Sequence, residues 1–192
     1  MTKNLPARAA AALFLGLTLG AGHAETINFD NFTAGSVLAP NTFDSLGVHF
    51  DQHLLVADGN YGDFPRSPSN DVINNDSFGG DITGHVAGPL QSWYFISVWA
   101  GDKLNDVDFV TLNGYNAQGQ LVATDSFNGK LAQTLMISGA GMVRFEILQH
   151  GTLIGIDNFR FHGTPVPEPT TLALMLGGLA AVGGAARARR KG

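Results

Sequence analysis

The chain has 192 residues, a formal net charge of −5 and no cysteine. The charge is unevenly spread: residues 25–163 hold thirteen Asp and two Glu against two Lys and three Arg, a net −10, while both ends are basic. So acidic a centre argues against a nucleic-acid partner, and the missing thiols exclude disulfides, a cysteine nucleophile and a Cys-ligated zinc site.

At the N-terminus, Lys3 and Arg8 precede the apolar stretch AAAALFLGLTLGAGHA, which closes on small residues at Gly22 and Ala24. A charged start, a short apolar run and a small-residue exit are the parts of a secretory signal. Residues 1–24 are therefore read as a signal helix cut after Ala24, with an uncleaved anchor as the alternative. Residues 25–163 are long enough to bury one core of their own.

Within that core, ETINFD puts Ile27 and Phe29 on one face and Asn28 and Asp30 on the other. GVHFDQHLLVAD alternates Val48 and Phe50 before a second apolar pulse from Leu54 to Val56. Residues 58–92, dense in Gly, Asn, Asp and Pro, read as one long loop, and such loops usually have a task or are pinned. SWYFISVWAG is apolar on both faces, as a strand covered on both sides would be. DVDFVTLNGYNAQGQLVATDSF reads as a strand, a turn over NAQGQ and a returning strand; QTLMISG, MVRFEILQ and LIGIDNFRFHG complete the set. No stretch sustains a 3.6-residue period with caps. Strands recurring every 8–12 residues predict an all-β, antiparallel sandwich. Phe29, Phe50, Phe95, Phe109 and Phe145 are expected in its core, with Trp93 and Trp99 packed inside.

After the core, HGTPVPEPT is a proline-stiffened spacer. Residues 170–186 then carry no charge and predict a transmembrane helix of about 25 Å, at the short end of what spans a bilayer. Arg187, Arg189, Arg190 and Lys191 follow at once and would hold its end on the cytoplasmic side.

The order of signal peptide, β-rich core, Val166-Pro167-Glu168-Pro169, apolar helix and RARR resembles a PEP-CTERM protein, the likeness in the tail covering residues 164–192. It implies a Gram-negative surface protein sorted by an exosortase-type membrane enzyme, which would recognise Pro167, Glu168 and Pro169 and remove the helix. Such proteins are associated with exopolysaccharide and biofilm matrix. In the core, INFDN, GVHFD and IDNFRF resemble the jelly-roll sandwiches of carbohydrate-binding and galactose-binding-like modules. That resemblance implies first and last strands side by side, with a structural calcium near them. Asp30 and Asp157 are then the calcium candidates; the alternative is that both carboxylates cap turns.

Tyr61, Phe64 and Phe78 lie in the polar loop beside Arg66, either stacking on sugar rings of an extracellular polysaccharide or tucking under the loop to pin it. DVINNDSFGGD lacks the ligand spacing of an EF-hand and reads as a turn. The histidines show no His-Glu-x-x-His pattern and read as surface or packed side chains. No Gly-x-Ser-x-Gly elbow is present, and Glu146, two residues from Arg144 on one strand face, suits an ion pair better than a catalytic acid. The expected protein is exported and non-enzymatic, with a structural or adhesive role. A calcium-dependent carbohydrate-binding module is the first alternative and a glycoside-acting hydrolase the second.

Overall fold

Apolar alternation sends most of the chain into strands, and the computed structural model describes residues 23–58, 70–77, 79–101, 107–150, 153–166 and 177–179. The strands are β1 (His23–Ile27), β2 (Val37–Leu38), β3 (Val48–Phe50), β4 (Leu54–Ala57), β5 (Asp71–Asn74), β6 (Ile82–Val86), β7 (Leu90–Gly101), β8 (Asp108–Tyr115), β9 (Leu121–Gly129), β10 (Gln133–Met142), β11 (Arg144–Leu148) and β12 (Gly155–Pro165). A 3-10 helix, Pro40–Leu46, starts on a proline with preset φ and stops at Gly47 in the left-handed region. Among the described residues no helix is long and apolar enough to cross a membrane. The expected signal helix up to residue 22 and most of the expected membrane helix lie outside the described residues. β1 starts at His23, on the signal side of the expected cut.

Two antiparallel sheets form a sandwich. The seven-stranded sheet runs β10-β7-β12-β5-β4-β2, with β1 also on β12; the five-stranded sheet runs β3-β6-β11-β8-β9. The expected neighbourhood of first and last strands is present, with His23 opposite Gly163 and Ile27 opposite Phe159. One side of β12 is shared: β1 takes residues 159–163, and Val72 of β5 takes Ile156. β7 occupies the other side. The β8–β9 hairpin turns where expected. The Asn116 side-chain oxygen accepts from the Gln118 and Gln120 amides at 3.0 and 2.9 Å, and Gly119 supplies φ 73°.

Between the sheets lies an aromatic cluster. Phe50 and Phe145 of one sheet meet Phe159 and Trp93 of the other at centroid distances of 4.9 to 5.8 Å, mostly edge-on or tilted, the geometry ring quadrupoles favour. All four are essentially inaccessible. Gly84 of β6 sits against the Phe145 ring of this cluster. A Cβ there would lie 2.5 Å from the His49 carbonyl oxygen and 2.6 Å from the Phe145 ring.

Four sequence expectations need correction. Residues 58–92 are not one loop, since they contain β5 and β6 and the start of β7. Every residue of β5 is buried, so DVIN is held by its neighbours in space and not by its own pattern. Phe109 is not core: β8 turns Val110 and Leu112 inward, leaving Phe109 41% exposed and stacked on His150 at 4.1 Å. Phe95 is only half-buried. Simple alternation from Trp93 would bury it, but between the Trp93–Gly163 and Phe95–His162 pairs β7 spends two residues against one of β12, so Ile96 takes the inner position, and Trp99, also expected inside, is buried on the outer face instead.

Candidate functional site

The site grows from a defect in β12. In GIDNFRF, the pairing with β7 shifts between Asp157 and Arg160, and Asn158 adopts φ 47°. Asn tolerates this left-handed backbone when its short side chain can bond locally. Here the fully buried Asp157 carboxylate accepts from the Asn158 amide N–H at 2.6 Å and from its side-chain nitrogen at 3.0 Å. The bulge re-aims the strand and brings Asn158 and Arg160 onto one groove.

Cross-strand register supplies the rest. Arg160 stands opposite Thr26 of β1 and Ser97 of β7, while Trp99 of β7 stands opposite Thr134 of β10. Together with Asn158 these residues line a groove of about 240 Å³ on the outer face of the seven-stranded sheet. Ser97 and Trp99, 7% and 6% exposed, form its floor; Thr26, Thr134 and Arg160 are exposed at its rim. The lining offers a guanidinium, three hydroxyls, an amide and one edge of an indole. Hydroxyls and amides both donate and accept, so the groove matches a ligand of similar polarity, neutral or anionic. No carboxylate lines it.

The outer face of the five-stranded sheet carries a polar cluster on β8 and β11. Arg144 is paired with Glu146, as the sequence suggested, and its guanidinium lies 4.1 Å from the Tyr115 ring centroid. The Tyr115 hydroxyl donates to Glu146 Oε2 at 2.6 Å. Burial works against the Glu146 carboxylate. Hydrogen bonds from Tyr115 and Arg144, with the arginine charge, outweigh it and hold the pKa below its ordinary value. Tyr115 is raised, first by its bond to Glu146.

Of the calcium candidates, Asp30 accepts from the Asn70 amide through Oδ1 at 3.2 Å, and Asp157 makes the local bonds described above. Both carboxylates thus bond backbone amides, and both flank the junction where β5 succeeds β1 along β12. Among the described residues, neither joins a group of three His or acidic side chains close enough to share an ion. In DVINNDSFGGD, expected to be a turn throughout, the first four residues are β5, and the turn begins only at Asn74, whose Oδ1 accepts from the Asp76 and Ser77 amides. Tyr61, Phe64, Arg66 and Phe78, the motif Pro167, Glu168 and Pro169, and the tail Arg187, Arg189, Arg190 and Lys191 lie outside the described residues. The groove residues escaped the sequence reading. One signal was available: adjacent Asp and Asn inside a strand pattern mark a bulge.

Residues 165–191 match the PEP-CTERM protein-sorting motif. The chain therefore carries the signal of an exported protein that exosortase, a membrane enzyme, processes at the membrane. No curated protein matches the chain. Among solved structures, it is similar to the K2 cleaved adhesin domain of Lys-gingipain, at 13% identity and TM-score 0.43, covering 72% of this chain and 97% of that one. It is also similar to an arabinose-bound α-L-arabinofuranosidase, at 13% identity and TM-score 0.41, covering 66% of this chain. There it spans only 24% of the enzyme's length.

Proposed function

We propose that this protein is a non-enzymatic adhesive component of the surface or extracellular matrix of a Gram-negative cell. It contacts exopolysaccharide through the β12 groove. The observation that carries the reading is the groove itself: Arg160, Asn158 and three hydroxyls over the edge of Trp99, on a core that bears an export and sorting signal. Its volume suits one small polar unit such as a sugar ring, below the roughly 300–1,000 Å³ of drug-sized sites. A hydrolase would need two facing carboxylates, and the groove lining has none. The sandwich is best read as a jelly roll, because from β5 onward the chain changes sheet at every connection except the β8–β9 hairpin. Cleavage behind Ala24 and removal of residues 170–186 complete the maturation we envisage.

The test is binding of the full chain, purified in mild detergent, to a polysaccharide panel that includes the host's own exopolymer. Saturable binding to one polymer is expected, weakened at least tenfold by Arg160→Ala. Unaltered binding by that variant would refute the groove as the contact. A calcium-dependent module is the second reading, favoured by the fully buried Asp157 beside the groove. Binding that disappears in chelator and returns with calcium would select it.

A further inference from the structure

On the five-stranded sheet, the one that does not bear the groove, the β3–β6 register places His49 directly opposite His85. Their rings lie 4.6 Å apart, tilted by 31°. Each is anchored at the same nitrogen by a different carboxylate. His49 Nδ1 is 2.8 Å from Asp44 Oδ1, and His85 Nδ1 is 2.7 Å from Asp51 Oδ1. A carboxylate accepts, so each Nδ1 donates in these contacts, and a neutral His49 ring then keeps Nε2 as an acceptor. Two imidazoles are thus fixed side by side. The Asp44–His49 pair is the carboxylate–histidine arrangement that orients ligands around bound metals.

We propose that His49, His85 and Asp51 form a binding site for a divalent transition ion of the zinc, copper or nickel class. One ligand atom from each of the three residues lies within 4.8 Å of those of the other two. Two nitrogens on one tetrahedral zinc stand about 3.3 Å apart, so closure needs at most about 1.5 Å of side-chain movement. The exposed rings of His85 and, less so, His49 permit it. Asp51 Oδ2 accepts from the Thr83 hydroxyl at 2.8 Å, which steadies the carboxylate, and the ion takes the place of the proton between Asp51 Oδ1 and His85 Nδ1, that proton passing to Nε2 of the same ring. Water completes the shell. Imidazole selects this class over calcium and magnesium, which take oxygen. Arg144 stands opposite His85, and its charge is already matched by Glu146. Asp44 touches His49 but supplies no ligand atom, so it is a positioning residue.

The experiment titrates the full chain, in detergent and without a polyhistidine tag, with zinc alone against a chromophoric chelator. One equivalent is expected, with calcium unable to compete. His49→Ala and His85→Ala should each lower affinity at least tenfold, and the double variant should abolish binding at this site. Asp44→Asn should weaken it about tenfold or more through lost orientation. His162→Ala, on the other sheet beside Phe95, should change nothing. X-ray absorption of the zinc-loaded wild type gives a readout independent of any variant's folding. Two imidazole nitrogens at about 2.0–2.1 Å are expected. An oxygen-only shell, or wild-type affinity in the double variant, or no binding below about 100 µM, would overturn the assignment.

Discussion

Substituting Asn158 by Ala and by Gly separates backbone from side chain at the bulge that builds the groove. Both variants lose the bond to Asp157 Oδ2 at 3.0 Å, so that loss cancels in the comparison. The backbone remains at φ 47° in either case. Alanine held there costs about 1–2 kcal/mol through its Cβ. Glycine has no such clash but gives up about 0.5–1 kcal/mol to the greater freedom of the unfolded chain. The Ala variant should therefore be less stable than the Gly variant by about 0.5–1 kcal/mol, roughly 1–4 °C in Tm for a domain of this size. The assay is scanning calorimetry of the full chain in one detergent, with wild type as reference. Both variants should melt below wild type, with Ala lowest. Coincident melting of Ala and Gly, or Ala above Gly, would show that the left-handed backbone does not shape this strand.

The Glu146 carboxyl is held below its ordinary value, so its stabilisation is complete above about pH 4.5 and fades as pH falls through the lower folded value. Glu146→Gln should therefore lie below wild type in Tm at pH 6 and close on it by pH 3; a constant gap would contradict the ion-pair account. Gly84→Ala forces a Cβ against the His49 carbonyl and the Phe145 ring and should cost about 1–3 kcal/mol in a urea titration, whereas an unchanged midpoint would deny that contact. Phe145→Ala, facing Phe50, Trp93 and Phe159, should cost about 3–5 kcal/mol in the same assay, and a loss under 1 kcal/mol would mean the cluster is not the centre of the core. Replacing Pro167, Glu168 and Pro169 together by Ala should leave unprocessed chain in the membrane fraction on immunoblotting; normal processing would break the link between motif and exosortase.

The parts of this protein that could be read from the sequence are those whose meaning is linear. A protease reads an extended stretch, so Pro-Glu-Pro followed by an apolar run and arginines carries its message before any folding. Strands with a period of two announced themselves for the same reason: Ile27, Val48, Phe50 and Phe145 each face inward because of their own neighbours in the chain. β5 gave no such signal, since Asp71 and Asn74 enclose only two apolar residues and all four are covered from elsewhere in the fold. Phe95 and Trp99 misled because one bulge in β7 inverts the parity of everything beyond it. Both sites depend on register in the same way. Arg160 becomes a ligand-facing residue only when Thr26 and Ser97 lie beside it, and His49 becomes a metal ligand only when His85 pairs across from it 36 residues later in the chain. In a sandwich, then, local pattern determines which residues face out, and long-range pairing determines which outward residues meet.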